Sequence, residues 1–94
     1  MEFGLSNKIV KEIKNISSKY KNTFYIFGSR ARGDYNKSSD IDIAVLGEIS
    51  KIDKFNILNE FDMLEMPYMI DVVFVQELSN KKLIENIINQ GVEI

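Results

Sequence analysis

Ninety-four residues make room for one domain with a modest core, read as a single unit over residues 1–94. The sequence has neither cysteine nor histidine, which excludes disulfide frameworks, thiolate or imidazole metal sites, and Ser-His-Asp or Cys-His catalysis. Any bound metal must therefore be held by oxygen, which points to magnesium, manganese or calcium. The net charge of −2 is unevenly spread: residues 1–47 carry eight Lys/Arg against five Asp/Glu, and residues 48–94 carry four against nine. Neither half has the strongly basic character of a nucleic-acid domain, so no direct nucleic-acid contact is expected. No apolar run is long enough to cross a bilayer and no signal-peptide core is evident, so the expected location is cytoplasmic, without membrane contact.

Leu5, Ile9, Val10, Ile13 and Ile16 recur at helical spacing and predict an amphipathic helix over 5–19, with Ser6 as its N-cap. Thr23 to Phe27 is β-branched and aromatic and predicts a buried strand. Gly28 stops it, Ser29 to Gly33 predicts a short helical turn, and Asp34 to Ser39 reads as a polar loop with Tyr35 and Lys37 on its surface. Asp40 to Leu46 is a second strand, with Asp40, Asp42, Ala44 and Leu46 on one face and Ile41, Ile43 and Val45 on the other. Ser50 to Asp53 is a capping box that opens a helix to about Glu65, with Ile52, Phe55, Ile57, Leu58, Phe61 and Leu64 as its apolar positions and Pro67 beyond it. Tyr68 to Val75 is a third strand, apolar except for Asp71. Ser79 is expected to cap a last helix, with Leu83, Ile84, Ile87 and Ile88 inward and Gly91 as its stop. Val92 to Ile94 is left open between an edge strand and a frayed end. A helical crossover makes strands two and three parallel, whereas the short irregular link favours antiparallel pairing of strands one and two. The expected fold is α/β, a three-stranded mixed sheet in the order 1-2-3 with helices packed mainly on one face.

The chemistry concentrates in the pattern G-S-x10-D-x-D. Asp40 and Asp42 share a strand face, and two carboxylates so close repel unless one is protonated or a cation lies between them. Asp71 is costly in an apolar strand unless it is paired or coordinates metal, and it joins them if strand three lies beside strand two. Three carboxylates on one sheet face suit two Mg²⁺ ions. Gly28 permits a close backbone approach, Ser29 offers a hydroxyl and an N–H at the opening of a helical turn, and Arg30 and Arg32 are near enough to neutralise polyphosphate. A phosphate end and a metal end together describe a nucleoside triphosphate with Mg²⁺, and in-line attack on phosphorus.

The run from Gly28-Ser29-Arg30-Ala31-Arg32-Gly33 through Ser39-Asp40-Ile41-Asp42-Ile43-Ala44-Val45, with Asp71 as third carboxylate, resembles the minimal nucleotidyltransferases of the polymerase-beta-like superfamily. The resemblance implies transfer of AMP from ATP to a hydroxyl. Asp40 and Asp42 would hold both Mg²⁺ ions, Asp71 would complete the site and help activate the acceptor, and Gly28 and Ser29, with Arg30, Arg32 and Ser39, would serve the nucleotide. It also implies a partner, a small helical HEPN-type RNase toxin that the chain would neutralise as antitoxin, by adenylylation. Two other readings stay open: neutralisation by binding alone, and modification of a small molecule, as in aminoglycoside-modifying relatives. The exposed sheet face and small size favour a homo- or hetero-oligomer.

Overall fold

The computed structural model describes residues 2–94. The elements are α1 (Asn7–Ser17), β1 (Thr23–Phe27), α2 (Ser29–Arg32), β2 (Ile41–Leu46), α3 (Lys51–Asp62), β3 (Ile70–Phe74), a single 3₁₀ turn (Val75–Glu77), α4 (Lys81–Gln90) and β4 (Val92–Glu93). Ser6 caps α1, its Oγ accepting from the Ile9 amide at 3.3 Å, and Ser50 caps α3, accepting from the Asp53 amide at 3.1 Å. The cap of α4 is Asn80 rather than Ser79: its Oδ1 accepts from the Leu83 amide at 3.1 Å.

The sheet has four strands, not three, in the order β3-β2-β1-β4. β1 and β2 are antiparallel, and β2 and β3 are parallel, as the connections require. The added strand is β4, which pairs antiparallel to β1, Tyr25 opposite Glu93, with the Ile94 amide donating to the Phe24 carbonyl at 2.9 Å. Gly91 leads into β4 in an extended conformation, not a left-handed one. Its glycine is needed because a Cβ there would overlap the Ile87 carbonyl.

α1 and α3 cover one face. Val10, Ile13 and Ile16 from α1, and Ile57 and Phe61 from α3, bury Phe24, Ile26, Ile41, Ile43 and Val45. Leu5 lies ahead of α1 yet is fully buried in the same cluster. α4 packs on the opposite face, where Ile87 meets Phe27, Ala44 and Val75. α4 therefore shares the carboxylate face, on which Asp71 stays exposed.

The periodicity of α3 misleads. Ile52 and Phe55 are largely exposed and Leu58 is 40% exposed, whereas Ile57 and Phe61 are buried. At about 100° per residue, Ile57 and Phe61 define the inward stripe and Ile52 and Phe55 fall away from it. Ile88 likewise points outward from α4. No helix among the described residues is long and apolar enough to cross a membrane.

The exit of α1 is tied to α3 by Glu60, whose carboxylate accepts from both Lys19 Nζ and Tyr20 Oη. The hydrogen bond from Lys19, then that from Tyr20, holds the Glu60 carboxyl below its ordinary range. Burial, then the bond to Glu60, pushes the Tyr20 hydroxyl up to about 12. Because the folded value of Glu60 lies below its unfolded one, the tie is at full strength above the ordinary glutamate range and is lost as pH falls through the folded value. We predict that Glu60→Gln lowers stability at pH 7 by about 1 kcal/mol, since the pair is partly solvent-screened. Melting curves from pH 7 to 3 should converge for the two proteins at the acid end.

Candidate active site

The site is built where β1 hands over to α2. Gly28 has φ +75° and ψ −156°, a conformation open to glycine and hostile to other residues. Its missing side chain matters as much. Phe27 pairs with Asp42, and a Cβ on Gly28 would overlap the Asp42 carboxylate. The carboxylate thus rests against bare backbone. The turn that follows is closed by Gly33 in the left-handed region, whose amide donates to the Ser29 carbonyl at 2.9 Å. Its first bonded amides are those of Ala31 and Arg32, which donate to the Gly28 carbonyl, so the Ser29 and Arg30 amides lie outside the turn's own ladder.

Asp42 stands opposite Asp71 in the parallel pairing of β2 with β3. Ile41, Ile43, Ile70 and Val72 point into the α1/α3 core, so Asp42 and Asp71 share the other face, as expected, and Asp40 immediately precedes β2. Asp42 is half-buried; Asp40 and Asp71 are exposed. Burial, then the Asp71 and Asp40 charges, pushes the Asp42 carboxyl above its ordinary range, with Arg32 opposing. Among the described residues, no three acidic side chains stand close enough to grip an ion as they are placed. Their chemistry nevertheless fits a hard divalent cation: all donors are oxygen, and Asp42 is destabilised by like charges that such an ion would neutralise.

Arg32 remains on the rim of this face, with Nε 3.3 Å from Asp34 Oδ2 and a guanidinium nitrogen 3.5 Å from Gln90 Oε1. Arg30 does something other than expected. It is 2% exposed. Its Nε and one terminal nitrogen donate to the Ser39 carbonyl at 3.1 and 2.9 Å, and the other donates to the carbonyls of Phe3 at 3.0 Å and Gly4 at 3.5 Å. Its guanidinium carbon lies 5.2 Å from the Tyr35 ring centroid and 4.5 Å from that of Tyr68. A buried cation without a carboxylate is thus held by carbonyl dipoles and aromatic faces. These contacts turn Arg30 away from phosphate binding: it positions the loop that leads to Asp40. Ser39 serves the same loop, its Oγ accepting from the Asn36 amide at 2.9 Å.

Sequence reasoning missed Tyr35 and Tyr68 as partners of Arg30. One local signal existed: Gly4 has φ +68°, and a Cβ on it would overlap the Tyr35 ring, so a glycine near the N-terminus marks a close approach.

This geometry agrees with the comparisons. The family described as Polymerase beta, Nucleotidyltransferase matches residues 11–94. The chain belongs to that family. A relative from Methanocaldococcus jannaschii, named "putative protein adenylyltransferase", is 36% identical over 81 residues, covering 81% of this chain and 80% of the relative. Two solved structures share the fold. One is a toxin–antitoxin with AMP-PNP, with TM-score 0.63 and 28% identity, covering 93% of this chain and 69% of that one. The other is a mutant of the toxin–antitoxin MntA–HpeT, with TM-score 0.64 and 26% identity, covering 95% and 72%. The chain is accordingly a nucleotidyltransferase in fold and family.

We predict that Arg30→Met, which keeps the bulk and removes the donors, lowers the stability of the nucleotide-free protein by about 1–3 kcal/mol, because buried carbonyls lose their partners. Thermal melts without ATP check this. Unchanged melting with weakened ATP binding would return Arg30 to the phosphates.

Proposed function

We propose that this chain transfers AMP from ATP to a hydroxyl of a protein partner, in a Mg²⁺-dependent reaction, and that the partner is a toxin of the HEPN RNase type, which it neutralises. The observation that carries the reading is the placement of Asp42 between Gly28 and Asp71, beside an anion-favouring turn. The relatives point the same way: one is named as a protein adenylyltransferase, and two are antitoxin complexes, one of them with a nucleotide analogue.

Asp40, Asp42 and Asp71 would hold Mg²⁺, two ions by the number of carboxylates. Bound there, the metal supplies charge neutralisation at the phosphates. Gly28 and Ser29 bind the triphosphate through backbone amides and the Ser29 hydroxyl, and Arg32 offers it an exposed cation. Asp71, exposed at the edge of the sheet, takes the proton of the acceptor hydroxyl as its oxygen attacks the α-phosphorus. The bond from that phosphorus to the bridging oxygen breaks, and pyrophosphate leaves. Positioning carries most of this catalysis, and paired strands hold Asp42 and Asp71 for it.

The test is the partner's intact mass after incubation with the chain, ATP and Mg²⁺. A gain of whole AMP units is expected, and Asp42→Asn should slow it roughly 100-fold or more, as loss of a central charge-stabilising group does. An unmodified partner, or an unaffected variant, would overturn the assignment.

A further inference from the structure

β3 is an edge strand: β2 pairs with one side of it and nothing among the described residues pairs with the other. The Ile41 amide donates to the Met69 carbonyl, so Met69, Asp71 and Val73 turn their backbone groups toward β2. Ile70, Val72 and Phe74 therefore turn theirs to the open side. Along that side runs a groove of about 610 Å³ between β3 and α3, lined among others by Phe55, Leu58, Asp62, Met69, Asp71 and Val72. Phe55 is 66% exposed and Met69 74%. An open edge beside uncovered apolar side chains is a surface that folded proteins ordinarily avoid.

We propose that the acceptor protein docks here as an extended segment added to the open edge of β3. Side chains alternate across such a strand. Those on the α3 side would pack against Phe55 and Leu58. Those on the other side would stand next to Asp71, where the hydroxyl must be delivered. Main-chain bonds to Ile70, Val72 and Phe74 supply affinity, and the alternating side chains supply choice. This rests on the adenylyl-transfer reading above and adds to it where the acceptor sits.

Charge selects the occupant. Asp62 and Asp71 line the groove, and no lysine or arginine among the described residues does. A second copy would set those acids against its own, because edge-to-edge pairing repeats the same strand. The fitting partner is a different protein whose segment alternates apolar residues with lysine or arginine around the acceptor.

The test uses the full chain and a fluorescein-labelled twelve-residue peptide that alternates Val with Lys around a central Tyr, read by fluorescence anisotropy without nucleotide. Saturable binding is expected, at least tenfold weaker for Phe55→Ser and for Leu58→Ser, and weaker for a peptide of the same composition with its alternation scrambled. Absence of binding, equal binding of the scrambled peptide, or equal binding by both variants would overturn the proposal. So would dimerisation of the chain that Phe55→Ser abolishes, because it gives the surface to a second copy. AMP transfer is read separately: a peptide that binds in the groove and receives no AMP contradicts the transfer reading and supports the docking surface.

Discussion

The Asp42 carboxylate lies against a backbone that has no side chain to keep it off. Phe27 and Asp42 are paired across β1 and β2, so the position of Asp42 is fixed by the sheet ladder, and only glycine at the residue after β1 leaves room for it. The same residue turns the chain into α2. One contact thus joins the end of a strand, the opening of the helical turn and the first carboxylate of the site. The parallel pairing then sets Asp71 beside Asp42, and the two carboxylates stand on one sheet face. The cost is electrostatic, since Asp42 is half-buried among like charges. The fold tolerates that because the opposite faces of the same strands carry Ile41, Ile43, Ile70 and Val72 into the main core.

Much of this was legible because it is local. A β-branched and aromatic run ending in Gly-Ser gives β1 and its turn, and the Ser50 box gives α3. Asp71 was legible as the lone charge in an apolar strand, and the helical crossover placed that strand next to β2. What stayed hidden depends on distant partners. An arginine in a glycine-rich turn looks like a phosphate ligand until the carbonyls of Phe3 and Gly4 and the ring of Tyr68 close around it. The side on which α4 packs depends on how the chain leaves β3 through the 3₁₀ turn, which no periodicity reports. In α3, apolar residues occur on more than one stripe, so spacing alone could not separate the core positions Ile57 and Phe61 from the exposed Ile52 and Phe55.

That apolar excess on α3 and the clamp at Arg30 divide the molecule functionally. Arg30 ties the N-terminal segment, α2 and the loop before Asp40 together. The opposite side is bare: an open strand edge and uncovered apolar side chains next to Asp71. In the function proposed above, the tied side takes the nucleotide and the open side takes the acceptor.

We propose that Asp42 stands among Asp40 and Asp71 at an electrostatic cost that a divalent cation removes. The direct measurement is the melting temperature of the wild-type chain and of Asp42→Asn, each with EDTA and with Mg²⁺. The account predicts that Asp42→Asn melts above the wild type in EDTA, because it loses the repulsion, and that Mg²⁺ raises the wild type much more than the variant. A wild-type chain indifferent to Mg²⁺, or an Asp42→Asn chain that melts below it in EDTA, would contradict the account.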